Sequence, residues 1–132
     1  MTYKITRKVL DLVENLIRAG YRGEVKITDS YPTGTWTVLE GAVVIELSGF
    51  CKESLYIVED LLIGTVCFVG RYSLEDSYED PTVEDIIRTA WNMYTSYESR
   101  GYGLPYEFED LFIQHGYLKK VTETKTRYVK AK

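Results

Sequence analysis

Two amphipathic helical patterns enclose a strand-rich middle segment, and this order limits the chain to a small set of folds. Residues 5–19 place apolar side chains at intervals of three and four, and residues 82–99 do the same. This spacing is typical of helices that bury one face. Between them, short apolar or alternating segments are separated by turn residues, as expected for β-strands. The pattern predicts an α+β fold.

The middle segment predicts an antiparallel sheet of four to five strands. Residues 54–63 can be interpreted in two ways, because Leu55, Val58, Leu61 and Leu62 also fit a helix. We prefer a strand there, since β-branched side chains favour sheets. The predicted strands are residues 24–29, 35–39, 42–48, 54–63 and 65–72.

The second half of the chain predicts two helices and a hairpin. Residues 73–81 are expected to form an acidic loop before the long helix. A short helix should begin at Pro105 and end at Gly116. Residues 117–130 should form a basic β-hairpin that closes the fold. We expect one domain over residues 1–132, since this length suits a single core.

The residue types available for catalysis argue against an enzyme. The chain has one histidine, two cysteines and twelve tyrosines. Histidine is the usual acid–base group near neutral pH and a common metal ligand, so one copy gives little material for a catalytic triad or a metal site. The Gly-x-Gly at residues 101–103 follows a helix instead of a strand, which is the wrong context for a phosphate loop. We predict no cofactor, no metal and no catalytic residue.

The cysteines and the apolar runs predict a cytoplasmic protein that does not enter a membrane. Cys67 lies in an apolar run and should behave as a small buried hydrophobic residue. A Cys51–Cys67 disulfide is the less favoured alternative. The N-terminus lacks the apolar core of a signal peptide, and no segment has the roughly 18 apolar residues of a membrane span.

Charge is unevenly distributed along the second half. Residues 73–110 carry ten acidic and two basic side chains, whereas residues 111–132 carry one acidic and six basic ones. Acidic surfaces with tyrosines suit recognition of a basic protein groove. The alternative is an ordinary solvated loop and helix start. The predicted protein-binding residues are Glu75, Asp76, Tyr78, Glu79, Asp80, Tyr102 and Tyr106.

The basic C-terminus supports an alternative function in nucleic-acid binding. A short helix followed by a basic ribbon resembles the last helix and wing of winged helix domains, over residues 82–132 and without a specific motif. The resemblance implies phosphate contacts, but Glu107, Glu109 and Asp110 would repel phosphate. The candidate nucleic-acid-binding residues are Lys119, Lys120, Lys125 and Arg127.

These observations predict a small non-enzymatic domain that binds another protein as an inhibitor, adaptor or immunity-type protein. Nucleic acid is the less favoured partner. A third alternative is a small-molecule sensor with a pocket lined by Trp36, Trp91 and tyrosines. A homodimer would form if the basic C-terminal strand, or residues 42–48 at a sheet edge, paired between two copies.

Overall fold

An antiparallel sheet with its helices on one face forms the centre of the molecule. The structure, a computed structural model, describes residues 2–30, 39, 41–49, 54–70, 73–98, 103–122 and 126–131, with only the backbone at 97–98, 120–122 and 126–130. The predicted strand at residues 35–39 therefore lies outside the described residues except for Leu39. Among the described helices, none has the length and apolar character that a membrane span requires.

The first helix, α1 (Arg7–Ala19), confirms the helical pattern of the N-terminus. The Thr6 hydroxyl accepts a hydrogen bond from the Val9 amide, which satisfies a backbone donor of the first turn. Gly20 ends the helix at φ 128°, a conformation that favours glycine. The buried positions of α1 are Val9, Leu12, Val13 and Leu16.

The sheet has six strands, so the predicted antiparallel sheet is confirmed and is slightly larger than expected. The strand order is β2-β3-β4-β5-β6, and β1 pairs with one end of β4. The pairs are antiparallel throughout. The strands are β1 (Tyr3–Lys4), β2 (Val25–Thr28), β3 (Val44–Ser48), β4 (Ser54–Asp60), β5 (Thr65–Val69) and β6 (Leu74–Tyr78).

Residues 54–63 form a strand over Ser54–Asp60, as preferred, but the predicted strand is too long because residues 61–63 form a turn. Residues 55–60 are all buried, because both faces of the sheet are covered at this position. The helix face of the sheet includes Ile57 and Phe68, which pack with α1 and the C-terminal helices. The opposite face holds a smaller cluster formed by Leu39, Ala42, Val44, Tyr56, Val58, Cys67 and Val69.

The predicted acidic loop at residues 73–81 is wrong for its first part. Residues 74–78 form β6, whose Tyr78 lies opposite Val66 of β5. Acidic side chains are tolerated in this strand because it lies at the edge of the sheet, where alternate positions meet solvent. Inward-facing Tyr78 packs on Phe68 with the ring centroids 5.7 Å apart. Aromatic packing and backbone pairing therefore establish the strand despite its charges.

The second helix, α2 (Val83–Glu98), confirms the prediction for residues 82–99. The Thr82 amide donates to Asp85 Oδ2 at 2.8 Å, which ties the start of the helix to its first turn. The side chains of Ile86, Ile87 and Ala90 are fully buried against the sheet and α1.

The C-terminal region contains the short helix and the two predicted strands. A 3-10 turn (Tyr106–Phe108) leads into α3 (Glu109–Gln114). Gly116 follows with φ 79°. Strand β7 (Leu118–Thr122) then pairs antiparallel with β8 (Thr126–Lys130) in a separate two-stranded sheet.

Two smaller predictions from the sequence also have a clear outcome. Cys67 is buried and carries a free thiol, as predicted. Strand β3 lies between β2 and β4. A homodimer that pairs residues 42–48 between copies is therefore excluded, because both sides of that strand already have partners.

Candidate functional site

Six of the ten acidic residues in the segment 73–110 lie where β6 leads into α2. We call Glu75, Asp76, Glu79, Asp80, Glu84 and Asp85 the acidic edge. Strand β6 is the last strand of the sheet and pairs only with β5 among the described strands. The acidic edge therefore borders a side of the sheet that carries unpaired backbone groups.

Two carboxylates of the acidic edge are used within the fold. Tyr78 donates its hydroxyl hydrogen to Asp76 Oδ2 at 2.5 Å, and Arg88 Nη2 donates to the Tyr78 hydroxyl at 3.2 Å. Arg88 also forms an ion pair with Asp85. Burial raises the pKa of Tyr78, and the nearby Asp76 carboxylate adds to this increase. Asp76, Tyr78 and Asp85 thus form an internal polar network that joins β6 to α2.

Glu75 takes an intermediate position between the interior and the solvent. The side chain is largely exposed, but its carboxylate lies so close to Gly70 that a Cβ there would come within 2.5 Å of Glu75 Oε1. Partial burial of the carboxylate raises the pKa of Glu75, and a hydrogen bond from Ser73 opposes this shift. A Cβ at position 70 would therefore displace the Glu75 carboxylate, a shift that the flexible and exposed glutamate side chain can make.

Besides Glu75, three residues of the acidic edge are exposed to solvent. Glu79 is exposed, and the side chains of Asp80 and Glu84 are 92% and 73% exposed. Lys8 of α1 lies 3.6 Å from Asp80 and donates to the Glu79 carbonyl oxygen at 2.9 Å. Exposed ion pairs of this kind contribute little to stability. These carboxylates remain accessible to a partner.

Of the predicted tyrosines, Tyr78 lies within the acidic edge, whereas Tyr106 lies apart from it. Tyr106 is 60% exposed, and its carbonyl oxygen accepts a hydrogen bond from Arg22, beyond the C-terminal end of α1. The acidic edge contacts Lys8 at the opposite end of this 13-residue helix, about 20 Å away. Tyr102 lies outside the described residues.

The candidate nucleic-acid-binding residues are described only in part. Lys119 is exposed on β7. For Lys120 and Arg127 the structure describes only the backbone, which lies in β7 and β8. Lys125 lies outside the described residues.

A prominent apolar turn joins β4 to β5 and was not recognised as a surface feature from the sequence. Leu61, Leu62 and Ile63, which we call the apolar turn, are 48%, 83% and 66% exposed. Three neighbouring exposed apolar residues are unusual on a protein surface and often indicate a binding site. The available signal was the run Leu-Leu-Ile-Gly, in which glycine marks a turn.

The apolar turn is firmly held by its surroundings. Asp60 Oδ1 accepts a hydrogen bond from the Leu62 amide at 3.0 Å, and the Asp60 carbonyl oxygen accepts one from Gly64 at 2.8 Å. The Leu61 amide donates to Thr2 at the start of β1. Gly64 adopts φ 72°, which favours glycine.

The sheet register brings the apolar turn and the acidic edge to the same end of the sheet. Val66 pairs with Tyr78 in the antiparallel β5–β6 ladder. This pair is the last of the β5–β6 ladder, so the apolar turn and Glu79–Asp80 leave the sheet at the same end. The same end of the sheet therefore presents apolar side chains and carboxylates.

The described part of the chain includes a cleft beside β1 and a polar cavity beside α2. A cleft of about 350 Å³ lies between β1 and the start of β3 and is lined by Tyr3, Lys4, Ile5, Gly41, Ala42 and Val43. A polar cavity of about 200 Å³ is lined by Glu84, Arg88, His115 and Tyr117. In the second cavity, His115 Nδ1 lies 3.7 Å from Glu84 Oε1, so the histidine at the end of α3 contacts α2.

The predicted ligand pocket at the tryptophans is not supported at Trp91. This side chain is 7% exposed, stacks on Tyr117 and meets Phe112 edge to face in the main core. Trp91 is thus a packing residue, and Trp36 lies outside the described residues. Within the described residues, no group of three or more histidine, cysteine or acidic side chains is arranged to hold a metal ion.

Comparisons with protein-family models, curated proteins and solved structures find no match to this chain. The site must therefore be interpreted from its own geometry and chemistry.

Proposed function

We propose that this protein is a non-enzymatic binding domain whose acidic edge docks onto a basic groove of another protein. It would act as an inhibitor, an adaptor or an immunity-type protein. The observation that carries the proposal is the set of exposed carboxylates of Glu79, Asp80 and Glu84 at an edge of the sheet. Such a set steers association with a positively charged partner and disfavours acidic competitors.

The internal polar network distinguishes the residues that would hold the fold together from those that would contact the partner protein. Asp76, Tyr78 and Asp85 are engaged with one another through Arg88. They would hold β6 and α2 in place, while Glu79, Asp80 and Glu84 would contact the partner. Tyr106 would belong to a separate contact, given its position at the other end of α1.

The proposal includes a cytoplasmic location and, as a further hypothesis, a homodimer. The free, buried thiol of Cys67 supports a reducing compartment. A homodimer would use the outer side of β8, since this strand pairs with β7 alone among the described strands. Light scattering behind a sizing column would measure the oligomeric state directly.

A capture experiment tests the proposed function. The full chain would serve as bait in lysate of the native host, with nuclease treatment and stepwise elution by salt. Glu79→Lys with Asp80→Lys should reduce the recovery of a stoichiometric protein partner by at least about tenfold, because two attractive charges become repulsive. Glu14→Lys with Asp29→Lys is the matched control, since both residues are exposed away from the acidic edge.

The nucleic-acid alternative predicts the opposite result. Lys119→Glu, Lys120→Glu and Arg127→Glu together would remove the captured material, and nuclease would release every partner. Either result would contradict the proposed function and move it to the hairpin of β7 and β8.

A further inference from the structure

We infer that the apolar turn Leu61–Ile63 is the anchor of the same docking surface, and that the partner contacts it with apolar side chains flanked by lysine or arginine. This inference rests on the proposed function, since it uses the acidic edge. Leu62 and Ile63 are among the most exposed large apolar side chains of the described chain, at 83% and 66%. Removing such apolar surface from water is the main favourable contribution to most protein–protein association.

The position of the turn supports this role. The β5–β6 register places the apolar turn and Glu79–Asp80 at the same end of the sheet, on neighbouring strand ends. An apolar centre with a charged rim is the usual organisation of a protein interface. A partner segment that covers Leu62 and Ile63 would therefore also reach the carboxylates of Glu79 and Asp80.

The rigidity of the turn also favours binding. Its backbone is fixed by the hydrogen bonds of Leu62 and Gly64 to Asp60 and by that of Leu61 to Thr2. Presenting apolar side chains from a fixed backbone lowers the conformational entropy lost on binding. The side chains are exposed, whereas the amides of Leu61, Leu62 and Gly64 are hydrogen-bonded to the ends of β1 and β4.

Charge complementarity indicates which kind of partner would bind the apolar turn and the acidic edge. Two copies that met through their apolar turns would bring Glu79 and Asp80 of both chains together, which like charges disfavour. An anionic bilayer or a nucleic acid would be repelled by the same carboxylates. A cationic amphipathic protein segment satisfies both the apolar turn and its acidic neighbours.

The test measures binding of defined peptides to the full chain by fluorescence anisotropy. The probe is a short labelled amphipathic peptide of leucine and lysine, compared with a serine–lysine peptide of equal charge. Leu62→Ser with Ile63→Thr should weaken binding of the leucine–lysine peptide by about tenfold or more. Glu79→Lys with Asp80→Lys should weaken it similarly and remove its salt dependence.

A matched control separates a specific anchor from general apolar character. Ile27 of β2 is 65% exposed, close to the 66% of Ile63, but lies on the strand at the other edge of the sheet. Ile27→Thr should leave peptide binding unchanged. Unfolding curves of every variant would show that the losses do not come from misfolding.

Each contrary result has a distinct meaning. If both peptides bind equally and the turn variant binds normally, the anchor is wrong while the proposed function of the acidic edge stands. If the turn is needed but charge reversal has no effect, the choice of a basic partner is wrong, and with it the proposed function. Self-association or binding to phosphatidylserine vesicles that depends on Leu62 would also overturn the inference.

Discussion

The paired strands of the β4–β5 hairpin and the turn between them are built from similar apolar residues but meet solvent very differently. Residues 55–60 of β4 and residues 66–69 of β5 are all buried, whereas Leu61, Leu62 and Ile63 are exposed. Both parts have well-defined hydrogen bonds. The difference lies in what covers them, since helices cover one face of the strands and the second apolar cluster the other.

This contrast shows that apolar composition alone does not define a core. In the strands, each apolar side chain has neighbours on its own face and its removal leaves a cavity. In the turn, the side chains extend beyond the end of the sheet. Their removal therefore reduces the exposed apolar surface and creates no cavity. The same residue type should therefore affect stability in one part and binding in the other.

Phe68→Ala in β5 should have the largest effect on stability. Phe68 is fully buried in the main cluster and contacts Tyr78 of the edge strand. We expect the free energy of unfolding to fall by about 3–5 kcal/mol, the usual cost of deleting a buried aromatic ring. Urea titration followed by circular dichroism would measure this. A loss below about 1 kcal/mol would show that the interior of the hairpin is not a close-packed core.

Cysteine reactivity gives a second comparison between the buried strands of the β4–β5 hairpin and its exposed turn. Burial raises the pKa of the Cys67 thiol above its ordinary value of 9.0, which lowers the thiolate fraction at a given pH and slows alkylation. In a Cys51→Ser background, Cys67 should react with iodoacetamide at least about a hundredfold more slowly than in urea, because local opening must precede reaction. The rate should rise with pH and level off only above pH 9.0.

The matched variant for this measurement adds Ile63→Cys and Cys67→Ala to the same background. Its thiol would lie in the exposed turn and should react at the rate of an unfolded chain. Equal rates for the two positions would contradict the proposed difference between strand and turn.

Asp60→Ala tests how the strands hold the turn. Asp60 is buried and accepts the Leu62 amide hydrogen bond. Its loss should cost about 1–2 kcal/mol, since a charged acceptor is removed and a partly buried donor is left unpaired. Hydrogen exchange at the Leu62 amide should accelerate much more than exchange at Ile57. Uniform acceleration would indicate global destabilisation instead of a loosened turn.

Much of the fold followed from side-chain periodicity. Helices α1 and α2 were predicted because one apolar stripe faces a single core in each. Strand β4 was ambiguous because its two buried faces remove the alternation that marks a half-buried strand. The helical spacing of Leu55, Val58, Leu61 and Leu62 arose because the last two continue the apolar run into an exposed turn.

The candidate site was harder to predict because it depends on pairing between distant segments. The acidic composition of residues 73–81 was clear, but the pairing of β6 depends on the sheet edge that β5 offers. The link from Asp76 through Tyr78 and Arg88 to Asp85 requires α2 to pack beside β6. The position of the apolar turn at the same end of the sheet as Glu79 follows from strand register, which short-range patterns do not determine.

Leu62→Ser should have the smallest effect on stability and thereby provides the sharpest test of the comparison. Leu62 is 83% exposed, so the free energy of unfolding should change by no more than about 0.5 kcal/mol. Retention on a hydrophobic interaction column should nevertheless decrease, because exposed apolar surface is lost. Leu55→Ser, in the fully buried strand of the same hairpin, is the matched control and should be strongly destabilised by the buried hydroxyl and the lost packing. If Leu62→Ser destabilised the fold comparably, the turn would be part of the core and would no longer be available as an anchor.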